Sequence, residues 1–196
     1  MGKYIKNLYN RDKAVFTALN KCGNLSEEHF NKLDISPTRL KNYCREGYIK
    51  KTCFDIKGSR ENGIAYRLTP LGKEVGTKKF GLRNYVQEIG HERHNLDVAN
   101  KYLSLTEKER ETVLNEREIK ELVENQIKEI DQQEERDRYQ EMLDQGAMSM
   151  PDIIYTTEEG VIVAFETITD NYGNIEIQAK EETCDFLNIQ VEINKI

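Results

Sequence analysis

The sequence predicts an α+β protein in two parts: three helices, a β-hairpin and a closing helix over about 1–82, then a mixed α/β domain over about 84–196 with a long acidic helix. Three observations lead there. Apolar residues recur at helical spacing up to Cys44, then change to strand-like runs between Tyr48 and Leu68. The last third again passes between strand-like and helical patterns. Finally, the net charge of −6 is unevenly divided: residues 1–83 hold 18 Lys and Arg against 8 Asp and Glu, whereas residues 84–196 hold 11 against 27. Such a split implies different partners for the two parts.

In the stretch Asn10 to Cys22, Val15, Ala18 and Leu19 share one helix face, and Gly23 ends it. Ser26 caps a short second helix running to about Leu33, with Glu27 and Glu28 in its first turn to suit the helix dipole. Ser36-Pro37 starts a third: a capping hydroxyl, then proline where a missing N–H costs nothing. This helix runs to about Glu46 with Leu40, Cys44 and Tyr43 inward, which leaves Thr38, Arg39, Lys41, Asn42 and Arg45 outward.

Residues 48–54 and 63–68 read as antiparallel strands around a polar loop that contains Lys57 and Arg60. Helices, strand, basic loop and returning strand in this order make a winged helix-turn-helix. The string Tyr66-Arg67-Leu68-Thr69-Pro70-Leu71-Gly72, with Thr69 as a cap and Pro70 at the first helical position, resembles the segment after the wing of many bacterial winged-helix regulators.

This arrangement is expected to bind double-stranded DNA. The third helix would present Arg39, Asn42 and Arg45, with Thr38 beside them, to the major groove. Lys41, Lys50, Lys57 and Arg60 would meet backbone phosphates. An acidic chain can do this when its cations share one face, because screening limits the reach of distant acids to about 8 Å. The plain alternative is an ordinary solvated basic face on a protein-binding module.

From Asn84 a helix is expected through 84–105, with a break near Gly90 and His91. Thr106 starts another. Over 107–145, Ile119, Val123, Ile127 and Ile130 form a narrow apolar stripe, read either as a solvated helix packed on one side or as an arm pairing with a second copy. After Ile130 the stripe fades into Asp131-Gln132-Gln133-Glu134-Glu135, a stretch expected to be exposed or loosely held. Residues 151–155 and 161–166 read as a hairpin whose second strand is central, followed by a helix over 176–187 and a last strand over 189–193.

Several function classes are excluded. Cys22, Cys44, Cys53 and Cys184 lack the Cys-x-x-Cys spacing of a zinc knuckle and read as buried or partly buried structural thiols. His91 and His94 alone do not make a zinc site. No phosphate-binding loop, dinucleotide fingerprint or nucleophile elbow is present. With no signal peptide and no apolar run of about 18 residues, the chain reads as cytoplasmic and reduced, without a membrane partner.

Pro151-Asp152 and, later, Phe165-Glu166-Thr167-Ile168-Thr169 resemble the core of PD-(D/E)XK nucleases. Together with the winged helix, His91-x-x-x-Asn95-Leu96 and Asn115-Glu116-Arg117-Glu118-Ile119, they resemble the replication-relaxation family of plasmids and other mobile elements. That resemblance implies a restriction-endonuclease-like second domain, with Glu116, Asp152 and Glu166 as its acidic cluster. It also implies a role as a DNA-binding accessory or regulatory protein of a plasmid, phage or transposable element. The lysine due two residues after the glutamate is Ile168; Lys180, on the next helix, would serve only by migration. The second domain is therefore expected to be a degenerate nuclease fold used for dimerisation or partner contact, with no cofactor. The rivals are an α/β structure unrelated to nucleases and an active nuclease using Mg²⁺. A third class is an inhibitor whose acidic half mimics DNA. The expected partners are double-stranded DNA, a second copy and a protein on the acidic domain.

Overall fold

The computed structural model describes residues 4–56, 62–83, 90–169 and 173–196. It is a mixed α+β structure that divides into two compact units, Met1–Ser104 and Leu105–Ile196.

In the first unit, α1 (Asn10–Cys22), α2 (Glu27–Lys32) and α3 (Pro37–Arg45) precede a hairpin of β1 (Ile49–Asp55) and β2 (Asn62–Leu68), then α4 (Pro70–Phe80) and α5 (Glu92–Ser104). Each start follows the sequence signal. The hydroxyls of Ser26, Ser36 and Thr69 accept from the backbone N–H of His29, Arg39 and Gly72, which satisfies an otherwise orphaned donor at each helix start. Between α2 and α3, Asp34 takes a left-handed conformation (φ 55°) that lets Ile35 turn inward.

The core centres on Phe16, whose ring meets those of Tyr43, Tyr48 and Phe80 edge-on. Val15, Leu19, Phe30, Ile35, Ile49 and Leu68 are buried in the same unit. Strands β1 and β2 pair antiparallel with Ile49 opposite Leu68 and Lys50 opposite Arg67, and Leu25 bridges to Tyr66 on the other side of β2.

The Thr69-x-x-Gly72 string has a packing reason. Thr69 N–H donates to the Tyr48 carbonyl (3.0 Å) and its hydroxyl donates to the Gly47 carbonyl, so α4 begins against the β1 entry. A Cβ on Gly72 would lie 1.9 Å from the Tyr48 oxygen; only glycine allows that approach.

Helix α5 belongs to the first unit, which therefore extends past the boundary expected near 82. It packs on α1 and α2, where His29 Nε2 lies 2.8 Å from Asn100 Oδ1 and Asn95 donates to Asn24 (2.9 Å). The charge division persists: counted over the two units, the net charges are +9 and −15.

The second unit contains α6 (Glu107–Thr112), β3 (Leu114–Asn115), α7 (Glu116–Lys128), α8 (Gln133–Asp144), β4 (Ile153–Thr156), β5 (Ile162–Ile168), α9 (Asn174–Leu187) and β6 (Gln190–Lys195). The sheet runs β3-β4-β5-β6, antiparallel except for the parallel β5-β6 pair that α9 connects. As expected from its apolar run, β5 is an interior strand.

The long acidic helix is corrected. Residues 107–144 form three helices, because Val113 leaves the helical region at the end of α6 and Leu114-Asn115 pair with β4. Ile119, Val123 and Ile127 are buried in a core with Met148, Met150, Ile154, Ala164 and Cys184, so the stripe is used inside the unit. The stretch 131–135 is exposed, as expected, and the packing resumes beyond it. Helix α8 packs Tyr139, Met142 and Leu143 against this core, with the Tyr139 ring 4.6 Å from that of Phe186. Among the cysteines, Cys22 and Cys184 are buried and Cys44 half-buried, but Cys53 is exposed on β1, contrary to the buried reading.

Candidate functional site

Two groups of residues bear on function, one in each unit. In the first, α3 turns Leu40 and Tyr43 into the core and leaves Thr38, Lys41 and Arg45 exposed, with Asn42 half-buried. Lys50 and its neighbour Lys51 are exposed on β1. Lys57 and Arg60 lie outside the described residues. The outward set thus holds two exposed cations one helical turn apart, Lys41 and Arg45.

Arg39 is engaged elsewhere. Its Nε donates to Asp12 Oδ1 (3.0 Å) and its Nη2 to Asp12 Oδ2 (2.8 Å), a bidentate pair, while Nη2 also donates to the Asn7 carbonyl (2.9 Å). The guanidinium sits 5.3 Å over the Tyr43 ring, and the Tyr43 hydroxyl donates to the same carboxylate. Asp12 is completely buried. Burial first, and then the Asp12 bond, push the Tyr43 phenol well above its ordinary range, so it remains a donor. Asp12 was not singled out from sequence, although an acid inside an apolar helix stripe signals a buried partner.

In the second unit, the acids meet across the sheet. Asn115 is opposite Ile153, and Ile153 is opposite Phe165. Glu166 lies on β5 next to Phe165, Asp152 immediately precedes β4, and Glu116 is the first residue of α7, directly after β3. Glu116 is exposed at the first turn of α7. Asp152 and Glu166 are tied reciprocally through the backbone: Asp152 N–H donates to Glu166 Oε2 (3.0 Å), and Thr167 N–H donates to Asp152 Oδ2 (2.7 Å).

Lys180 of α9 completes the group. Its Nζ lies 2.8 Å from Glu166 Oε1 and 2.8 Å from the Met150 carbonyl, with its side chain 13% exposed and that of Glu166 2% exposed. Ile168, at the position expected for lysine, is buried in β5. The sequence named Lys180 as a residue on the next helix, and the structure brings its Nζ to Glu166. A usable signal was present: Lys180 is one turn before Cys184 and next to Ala179, both buried, which puts it on the inner side of α9.

The group leaves an excess of negative charge. Burial first, and then the charge of Asp152, raise the Glu166 carboxyl to about 7, against the opposing pull of Lys180. Two carboxylates this close offer hard oxygen donors of the kind that suit a divalent cation. Comparisons with protein-family models, curated proteins and solved structures gave no match to this chain.

Proposed function

We propose that this chain binds double-stranded DNA through its first unit, acting as an accessory or regulatory protein of a plasmid, phage or transposable element. The observation that carries the reading is the exposed face of α3. Its Thr38, Lys41 and Arg45 stand clear of the core on a helix with a capped N-terminus, followed by a hairpin carrying exposed Lys50 and Lys51. The order α1-α2-α3-β1-β2 is that of a winged helix-turn-helix, in which the third helix enters the major groove.

In this reading Arg39 is a positioning residue. Its donors hold Asp12 on α1 and so fix the angle at which α3 leaves the core, while Asn42, Lys41, Thr38 and Arg45 meet the duplex. The biological setting rests on the resemblance to the replication-relaxation family, and a homodimer reading two half-sites accords with how such modules are commonly used.

The test is duplex binding by fluorescence anisotropy between about 50 and 200 mM salt. With roughly four to five phosphates engaged, the affinity falls roughly 10²–10³-fold over that range. Lys41→Ala/Arg45→Ala lowers both the affinity and the slope. A flat salt response, or an unaffected variant, removes the proposal.

A second reading, metal-dependent hydrolysis of a phosphodiester by the second unit, is favoured by the position of Lys180. The absence of a lysine two residues after Glu166 is what marks the fold as degenerate, and an ammonium stands beside Glu166 all the same. The αβ arrangement around β4 and β5 is compatible with a PD-(D/E)XK core. Asp152 and Glu166 would hold Mg²⁺, which when bound supplies Lewis-acid activation of a phosphoryl oxygen and a more acidic water. The chain's own part is to hold the carboxylates rigid through Asp152 N–H and Thr167 N–H and to orient Lys180 Nζ by its bond to the Met150 carbonyl. Incubation of supercoiled plasmid with Mg²⁺ or Mn²⁺ tests it: nicking by the parent, lost in Asp152→Ala and in Lys180→Ala, supports this reading, and no nicking in the parent removes it.

A further inference from the structure

The segment before α1 is extended, yet it is tied to α3 along its length. Glu46, at the end of α3, accepts from the backbone N–H of Tyr4 and of Ile5 (3.1 Å). Arg39, near the start of α3, donates to the Asn7 carbonyl (2.9 Å). Tyr9 N–H donates to Asp12 Oδ2 (2.6 Å). Ile5 is the apolar anchor at 3% exposure. Residues 4–9 therefore run antiparallel beside α3, from its last turn towards its first.

What this segment presents outward is cationic and aromatic. Lys6, next to the anchored Ile5, is exposed, as is Arg11 in the first turn of α1. Tyr4 and Tyr9 are each about half exposed, at 51% and 54%. Each ring carries a guanidinium: Arg45 of α3 lies 5.0 Å over Tyr4, and Arg11 lies 5.7 Å over Tyr9. Such stacking orients a guanidinium without consuming its N–H donors. From Tyr4 to Arg11 the sequence holds no acid, so nothing within the segment opposes its positive charge.

We propose that this strap is a second DNA-contacting element, in which Lys6 and Arg11 bind backbone phosphates of the same duplex that α3 enters, while Tyr4 orients Arg45 towards it. The inference rests on the DNA-binding reading above and extends it to residues outside the helix and wing. Charge complementarity selects the partner: exposed Lys6 and the two ring-oriented guanidiniums, alongside the basic face of α3, match a polyanion of regular spacing. Extended arms beside a helix-turn-helix have a general physical use, because they reach sugar-phosphate surface that the recognition helix leaves uncovered.

The test uses the full chain and a duplex with a fluorescent end label, with affinity measured across salt for the parent, Lys6→Ala, Lys6→Ala/Arg11→Ala, and a control, Lys120→Ala/Lys128→Ala, that removes equal charge from exposed positions of α7. Thermal melting of each variant checks folding. Each phosphate no longer neutralised lowers the log–log salt slope by about 0.9, so the slope falls by about 1 in the single variant and about 2 in the double, with affinity roughly tenfold lower at physiological salt. The control keeps the parent slope. An unchanged slope in the double variant, or an equal fall in the control, overturns the strap and leaves the α3 reading standing. Tighter binding by the double variant also overturns it, since the strap would then obstruct the duplex. A parent whose affinity ignores salt overturns the underlying reading instead.

Discussion

Glu166 gives the sharpest test of the second unit, because its titration couples to folding. The carboxyl is raised from an ordinary 4.5 to about 7, chiefly by burial and then by Asp152. A raised folded-state value means that the native protein binds the extra proton between pH 4.5 and about 7 and the unfolded chain does not. The contribution is thus fully present below about pH 4.5, declines as pH rises, and is gone by about pH 8. A difference of about 2.5 between the folded and unfolded values corresponds to about 3 kcal/mol, at about 1.36 kcal/mol per pH unit. Glu166→Gln abolishes this titration while keeping the shape of the side chain. Urea unfolding of parent and variant, followed by far-ultraviolet circular dichroism from about pH 4 to 8, should show the parent losing about 3 kcal/mol relative to the variant as pH rises. The comparison cancels groups that titrate alike in both proteins. A stability difference that stays constant across this range, or one that grows in the parent's favour with pH, refutes the account of Glu166 as a buried carboxylate beside an incompletely neutralised partner.

Three substitutions test the first unit. Gly72→Ala places a Cβ 1.9 Å from the Tyr48 oxygen, so α4 must shift away from the β1 entry; a loss of about 2–4 kcal/mol is expected by thermal or urea unfolding, and an unchanged melting temperature would contradict the packing described. Asp12→Ala strands the Arg39 guanidinium and the Tyr43 hydroxyl, at a cost of about 3–5 kcal/mol, whereas Arg39→Lys, which keeps the charge but not the fork, should cost less but still measurably; a stability unchanged by Arg39→Lys would show that bidentate geometry is not what matters.

The local elements of the first unit were readable because punctuation and periodicity agreed: Ser26, Ser36-Pro37, Thr69-Pro70 and Gly23 each mark a boundary that the structure uses. Long-range partnerships were less readable. Arg39 has the same one-dimensional signature as Arg45, an arginine on the polar side of α3, and only the path of α1 brings Asp12 beneath it. Similarly, the charge-rich 107–145 stretch masked a two-residue strand and a helix break, since neither Leu114-Asn115 nor Tyr139, Met142 and Leu143 produces a long periodic signal. The acidic positions Asp152 and Glu166 were visible as a motif. Lys180 was named from the sequence, but its pairing with Glu166 was less readable, because the lysine arrives from a helix that the crossover lays beside the strand.

That route has a physical logic. Strand β5 is interior, and Ile168 in the expected lysine position is 6% exposed, so a charged side chain there would need its own buried partner. Supplying the ammonium from α9 lets β5 remain apolar at that position while Nζ still reaches Glu166 Oε1 and a backbone carbonyl. The carboxylates lie within a unit of net charge −15. A phosphodiester approaching Asp152 and Glu166 without further positive charge would therefore be repelled. The two functional readings consequently make separable electrostatic demands: binding by the +9 unit depends on its own exposed cations and requires no added metal, whereas hydrolysis in the −15 unit requires a divalent cation before substrate phosphate can be accommodated.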